Sequence, residues 1–338
     1  MKTNTLVLLI GWSLAVGNAS AHHSFVATYD RDRPVELPGV VVDFVLKSPH
    51  SLLLLDVTQD DGGVEHYEVE MASLAMLRRL GFDQETFLPG DEITVTAWPH
   101  RRSMPIVWAR AFALADGRTL RADAGGIELT TETESRSRTA GLEELQGRWS
   151  PVSRRDVNPL PLTPAGQAAL DTYEPQQSPA AACEPNNVPA ILHAFYLFDI
   201  RMTDTDVVLR HEAYNVTRTV PFGSQPRLAE PTGLFGTVSG RIDGEELVIE
   251  SRDYPESDWG LTVRNGQDVP SSGQKRVTER YAAAEDGNSL TIGYTMEDPV
   301  YLTEPYTGVA RFVRVADDEP MYDYTCEPDS ASRFSRDQ

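Results

Sequence analysis

Short runs of alternating apolar residues, separated by turn-forming sequences, extend along most of the chain and restrict it to an antiparallel β architecture. In the first third, the sequences DDGG at 60–63 and LPGD at 88–91 are strong turn signals between such runs. One segment, Ser73–Leu80, instead carries leucines at helical spacing and ends at Gly81. Five or six strands with one helix between the third and the fourth predict a small OB-like β-barrel over residues 22–122.

The second half of the chain continues this pattern over a longer stretch. Strand-like runs recur from Ile191 to Val315, the first of them predicted over Ile191–Met202, and patterns typical of helices are rare. About eight antiparallel strands favour a closed barrel or a sandwich over residues 145–328. The polar segment 123–144 is predicted to be a linker, and residues 329–338 a polar tail. The fold class is therefore mainly β, in two domains.

The first 21 residues have the features of a cleavable signal peptide. Lys2 supplies a positive charge, Leu6–Val16 is a short apolar run, and the sequence ASA at 19–21 fits the small-residue cleavage rule. The apolar run is shorter than the roughly 20 residues that span a bilayer, although an uncleaved anchor is the alternative. We expect a periplasmic or secreted protein that begins at His22 and has no transmembrane segment after cleavage.

The net charge bears on which partners the protein can bind, and the two cysteines bear on whether it contains a disulfide. The chain carries 51 acidic and 30 basic residues, a formal net charge of −21, which repels the phosphates of nucleic acids. We therefore predict no nucleic-acid partner. The two cysteines, Cys183 and Cys326, predict one long-range disulfide in an oxidising compartment, because they lack the clustered spacing of a zinc site.

Residues 21–122 resemble a family of exported bacterial proteins known as domain of unknown function 6152. The resemblance rests on AHHSF at 21–25, on Pro49-His50, on Glu70 before the helix and on LPGD at 88–91. This chain has Ser48 where the family usually has asparagine, and leucines after His50 where the family usually has an aromatic residue. The family has no established activity, so the resemblance implies export but no reaction.

The second region resembles uncharacterised exported domains that share LTPAG at 162–166 and the sequence EDP at 297–299. It is also similar to lipocalin-like barrels in the pattern Gly147-x-Trp149 near its start. From this resemblance we expect a lipocalin-like antiparallel β-barrel, again with no activity implied.

The candidate metal site is the predicted new N terminus. Cleavage gives His22 an α-amine beside its imidazole, and these two nitrogens can chelate Cu(II). His50, in a tight turn between two predicted strands, is the best candidate for a second histidine, and His23 could substitute. Asp30 or Glu70 could add an oxygen ligand or orient a ligand. The alternative is a solvated histidine-rich terminus. The remaining N-terminal histidines, at 66 and 100, are expected to be solvated.

Two further hypotheses concern the second region. Trp149 and Tyr281 are candidates to line a cavity for a small apolar ligand, although aromatic residues on strands are more often core. Glu297 and Asp298 are candidates for ligand binding or acid–base catalysis. Adjacent residues on a strand face opposite sides, so the alternative for this pair is loop capping and a salt bridge to Arg280 or Arg241. The sequence contains no nucleophile elbow, phosphate loop or HExxH motif, and whether the chain is an enzyme stays open.

Overall fold

The computed structural model describes residues 28–122, 141–152, 158–172, 178–221, 233–262 and 269–331. It contains a closed five-strand barrel followed by a nearly closed nine-strand antiparallel barrel, which confirms the predicted fold class. The predicted signal peptide, His22, His23, most of the predicted linker and most of the predicted tail lie outside the described residues. Within the described ranges, no helix has the length and apolar character needed to cross a membrane.

The first barrel is built from six strands, one of which is appended to a closed ring of five. Among the described strands of this barrel, only the pairing of β3 with β5 is parallel, and it closes the ring in the order β1-β2-β3-β5-β4. Helix α1 (Leu74–Arg79) follows β3, where the leucine spacing predicts it, and the Ser73 hydroxyl caps its first turn. The strands are β1 (Val35–Val45), β2 (Leu52–Thr58), β3 (Val64–Glu70), β4 (Glu92–Pro99), β5 (Ile106–Leu114) and β6 (Thr119–Arg121).

The second barrel is one antiparallel sheet in the order β10-β9-β8-β7-β15-β14-β13-β12-β11. Strands β10 and β11 are the two ends of this sheet, so the barrel is nearly closed. The strands are β7 (Gly147–Pro151), β8 (Phe198–Met202), β9 (Asp206–His211), β10 (Thr217–Pro221), β11 (Thr237–Asp243), β12 (Glu246–Arg252), β13 (Arg276–Ala283), β14 (Ser289–Glu297) and β15 (Tyr306–Val315). Helix α2 (Pro164–Asp171) follows β7, and the one-turn helix α3 (Pro328–Ala331) follows β15.

The strand predicted over Ile191–Met202 is wrong in its first half. Ala190–His193 forms a 3₁₀ turn, in which the amide of Ile191 donates to the carbonyl of Asn187 at 3.1 Å and the amide of Leu192 to that of Pro189 at 3.0 Å. The side chains of Ile191 and Leu192 are buried in the barrel core. The apolar run that suggested a strand is therefore explained by core packing, which does not depend on an extended backbone.

The chain after β15 joins the two barrels. The amide of Ser48 donates to the carbonyl of Thr325, and the amide of Glu327 donates to the carbonyl of Ser48, both at 3.2 Å. Between these two positions, Cys326 is bonded to Cys183 of the second barrel, which confirms the predicted disulfide. The disulfide thus ties to the second barrel a segment that is hydrogen-bonded to the first.

A buried ion pair makes a second link between the barrels. Arg79, the last residue of α1, donates to a carboxylate oxygen of Glu212 at 2.6 Å. The Glu212 side chain is fully buried and also accepts the backbone amides of Leu197 at 3.1 Å and Tyr322 at 2.7 Å. Because a buried charge needs such partners, the interface depends on Arg79.

Candidate functional site

In the first barrel, His50 lies in a cluster of aromatic and ionisable side chains. The His50 and Trp108 ring centres are 5.4 Å apart, and the ring of Tyr29 lies 5.9 Å from Trp108 and 6.1 Å from His100. The Tyr29 hydroxyl donates to a carboxylate oxygen of Glu70 at 2.6 Å. We call these five residues the histidine–tryptophan cluster: Tyr29, His50, Glu70, His100 and Trp108.

Strand register brings the histidine–tryptophan cluster together. His50 lies in the turn before β2, and the first residue of that strand, Leu52, pairs with Glu70 at the end of β3. The parallel pairing of β3 with β5 then places Glu70 opposite Trp108. An isolated antiparallel bridge joins Tyr29 to His100. Residues that are far apart in sequence therefore meet because the five-strand ring closes.

The expectation that His100 is solvated is wrong, because the structure buries all but 5% of this residue. Its backbone amide donates to the carbonyl of Ile106 at 3.1 Å, and its Nδ1 accepts the amide of Arg102 at 3.1 Å. Because Nδ1 is an acceptor, a neutral ring carries its proton on Nε2. His66, in contrast, is exposed on β3 and contacts Asp56 through Nδ1 at 2.5 Å, in agreement with its predicted position on a solvated face.

The two predicted acidic ligands, Asp30 and Glu70, differ in their hydrogen-bond and ion-pair partners. Asp30 contacts Arg33 at 2.7 Å and Arg101 at 3.6 Å, and the hydrogen bond from Arg33 is the main cause that lowers the pKa of Asp30. Glu70 is buried and accepts the Tyr29 hydroxyl. Asp30 is thus engaged by cations, so Glu70 is the better placed of the two to support a metal.

No group of three or more His, Cys, Asp or Glu side chains among the described residues could hold a metal ion. The predicted copper site combines His50 with His22 or His23, and the last two lie outside the described residues. The structure does show the surroundings of His50, which are the ring of Trp108 and, within the same cluster, the buried carboxylate of Glu70.

In the second barrel, Trp149 lies in the core. Its indole Nε1 donates to the carbonyl of Leu145 at 3.0 Å, and the guanidinium of Arg314 lies 4.2 Å from the ring centre. Arg314 also donates to the carbonyl of Gln146 at 2.7 Å. These contacts fasten the turn before β7 to the last strand, so the structure gives Trp149 a packing role.

Glu297 and Asp298 point in different directions. Glu297 is exposed, whereas Asp298 is buried and accepts the amide and hydroxyl of Ser272 at 2.7 and 2.9 Å and the amide of Val300 at 3.1 Å. Both residues line an open cleft of about 560 Å³. The structure therefore favours loop capping by Asp298 and does not bring the two carboxylates together as an acid–base pair. The predicted salt bridge to Arg280 or Arg241 is wrong, because these arginines pair with carboxylates on β11 and β12.

Lys275 lines the same cleft but its ammonium group is buried. The Nζ atom donates to the side-chain oxygen of Asn187 at 2.9 Å, to the carbonyl of Val188 at 2.8 Å and to the carbonyl of Gly260. Burial lowers the pKa of Lys275 to about 7. Three oxygen acceptors match the three protons of the charged form, so Lys275 fastens loops together.

The interior of the second barrel contains a set of ionisable and hydroxyl side chains. Of these, only Tyr281 was identified as a candidate from the sequence. Arg218 binds Glu279 through two hydrogen bonds of 3.0 and 2.6 Å, and the Tyr281 hydroxyl donates to the same carboxylate at 2.6 Å. The His211 ring stacks on Phe198 at 4.5 Å. We call the set the barrel polar cluster: His211, Arg218, Ser251, Tyr254, Glu279 and Tyr281.

The strand alternation contains a signal for this cluster. Glu279 lies between Val277 and Tyr281 at a spacing of two, and all three side chains are buried. Arg218 has the same relation to Val216 and Val220. A charged residue in phase with inward-facing apolar residues indicates a buried charge, which needs a partner elsewhere in the barrel.

The barrel polar cluster contains one ion pair and a neutral histidine. Burial opposes the charge of Arg218, but Glu279 outweighs it and holds the pKa of Arg218 above its usual value. Burial, followed by the charge of Arg218, lowers the pKa of His211 to about 3. His211 is therefore uncharged at neutral pH, and Arg218 and Glu279 compensate each other.

The first part of the chain matches the model of a known protein family. Residues 12–105 match the family described as Family of unknown function (DUF6152), which confirms the resemblance predicted for this segment. The matched segment contains His22, His50, Glu70 and His100. No curated protein matches the chain. The resemblance of the second barrel to lipocalin-like domains stays a prediction.

Proposed function

We propose that this protein is exported and binds copper(II), with the α-amine and imidazole of processed His22 and the imidazole of His50 as ligands. The observation that supports it best is the position of His50, half-buried against Trp108 and in one cluster with Glu70. Imidazole and amine nitrogens suit Cu(II), and a buried carboxylate nearby favours bound cations.

The predicted N terminus has enough chain to reach His50. The described chain begins at Thr28, six residues after His22, and a segment of this length spans up to about 20 Å when extended. Two successive ring contacts, of 5.9 and 5.4 Å, lead from Tyr29 through Trp108 to His50. This path is shorter than the reach of the segment, so both histidines can bind one metal ion.

Export is the second part of the proposal. It rests on the charged, apolar and small-residue regions of positions 1–21 and on the disulfide between Cys183 and Cys326, which is typical of oxidising compartments. Cell fractionation followed by mass spectrometry tests it. A periplasmic or secreted product whose first residue is His22 supports the proposal, and a cytoplasmic product with an intact leader contradicts it.

Copper binding is tested with the processed protein, which begins at His22, and with the same protein carrying one extra N-terminal residue. The extra residue removes the α-amine from its position beside the His22 imidazole. We expect Cu(II) affinity to fall at least about tenfold in the extended protein and in His50→Ala, with loss of nitrogen coupling in electron paramagnetic resonance. His66→Ala is the matched control, because His66 is exposed on β3. Equal affinity in all four proteins would refute the copper site.

The other two hypotheses have less support from geometry. An apolar ligand in the second barrel would have to lie beside the Arg218–Glu279 ion pair, which disfavours apolar contacts. An acid–base enzyme would need Asp298 to leave its hydrogen bonds with Ser272. Copper binding is therefore the function that we propose.

A further inference from the structure

Four polar atoms of the barrel polar cluster are buried without a hydrogen-bond partner in the described chain. They are Nε of Arg218, Nε2 of His211, the hydroxyl of Ser251 and the hydroxyl of Tyr254. The two hydroxyls are neighbours, and Ser251 acts on the pKa of Tyr254, but neither makes a hydrogen bond of normal geometry. Buried polar atoms in folded proteins nearly always have a partner, so four in one cluster call for a bound molecule, either water or a ligand.

The four atoms belong to one region of the barrel interior. Strand pairing brings them together, because the amide of His211 donates to the carbonyl of Val216, two residues before Arg218, at 2.8 Å. Ser251 on β12 pairs with Val277, two residues before the Glu279 that binds Arg218, and Tyr254 follows shortly after β12. Aromatic rings flank this region, because Phe235 lies 5.0 Å from the guanidinium of Arg218 and Phe198 stacks on His211. A barrel of eight or more strands can enclose one small ligand.

We propose that the second barrel binds a small uncharged molecule that carries an amide group on a flat apolar body. Its carbonyl oxygen would accept the Nε proton of Arg218, and its amide protons would donate to the Tyr254 or Ser251 hydroxyl or to His211. The apolar body would lie between the rings of Phe198 and Phe235. This site is independent of the copper site proposed for the first barrel.

The charge of the cluster selects an uncharged ligand. Glu279 already binds the Arg218 guanidinium through both of its oxygens, so the pair leaves no net charge for an anion. A carboxylate ligand would instead be placed beside the Glu279 carboxylate in a buried environment. Benzamide and benzoate have nearly the same shape and differ in charge, and they are therefore the matched probes.

The experiment measures binding of benzamide and benzoate to the full chain by calorimetry and determines the crystal structure with each compound. We expect benzamide within hydrogen-bond distance of Arg218 Nε and Tyr254, and at least about tenfold weaker binding of benzoate. The proposal is overturned if neither compound binds, if benzoate binds as tightly as benzamide, or if ordered waters alone occupy the four atoms.

Two tyrosine variants separate ligand binding from folding. Tyr254→Phe removes a hydroxyl that makes no hydrogen bond of normal geometry, so we expect the ligand-free protein to melt at the same temperature or higher while benzamide binds about tenfold more weakly. Tyr294→Phe is the control, because its hydroxyl is already paired with Nε2 of His193 at 2.8 Å. This variant should melt at a lower temperature and bind benzamide normally. Unchanged benzamide affinity in Tyr254→Phe would contradict the assigned contact.

Discussion

The buried ion pair between Arg218 and Glu279 gives the sharpest test of how the second barrel is held together. Arg218 lies on β10, at one end of the sheet, and Glu279 lies on β13 on the other side of the open seam. Their side chains are 2% and 0% exposed and share two hydrogen bonds. We expect the pair to fasten the barrel across the seam where strand pairing does not close it.

The magnitude follows from burial. Arg218→Met leaves the Glu279 carboxylate buried with the Tyr281 hydroxyl but without its cation, and Glu279→Gln leaves the guanidinium buried without its anion. Each single change should lower the free energy of unfolding by about 3–5 kcal/mol. The double variant contains neither charge, so it should lie within about 2 kcal/mol of the original protein. The coupling energy between the two sites is then at least about 4 kcal/mol.

Urea unfolding at neutral pH with the disulfide intact measures these four free energies. The control is the pair on the outer face of the same strand, where Arg280 donates to Glu246 at 2.7 Å but is 45% exposed. Its coupling should stay below about 1 kcal/mol. If the two single effects simply add and the double variant recovers no stability, the reasoning is refuted. Such a result would mean that neither buried charge destabilises the protein when its partner is removed.

Three other outcomes follow from the structure. Replacing Cys183 and Cys326 with serine opens a loop of 143 residues and, by the loss of chain entropy that the disulfide prevents, should lower the free energy of unfolding by about 4–5 kcal/mol. Urea unfolding against the oxidised protein measures this, and a loss below about 1 kcal/mol would contradict the entropic explanation. Arg79→Met removes the cation from buried Glu212, so it should lower the free energy of unfolding by about 2–4 kcal/mol and split thermal unfolding into two calorimetric transitions. A single transition at the original temperature would argue against the link between the barrels. If copper binds at His50, Trp108→Phe should lose most of the copper-dependent quenching of tryptophan fluorescence at unchanged affinity, since the two rings are 5.4 Å apart, whereas undiminished quenching would place the metal elsewhere.

The site residues show how far local patterns reach. The tight turn before β2 marked His50 as a candidate, but the burial of His100 was not predicted, because its neighbours come from β5 and from Tyr29. Trp149 and Tyr281 were expected near a ligand, and the structure shows that a partner on a distant strand decides the role of each: Arg314 for the first and Glu279 for the second.

The sequence by itself determined the β class, most strand positions, helix α1 and the disulfide. These features depend on alternation, on turn residues that set local backbone angles, and on a cysteine pair in an oxidising compartment. The tertiary structure alone decided that Arg218 meets Glu279, that Arg79 reaches Glu212, and that Asp298 caps a loop while Glu297 stays exposed. Such contacts join residues far apart in the chain, and they depend on strand order and barrel closure, which local patterns do not encode.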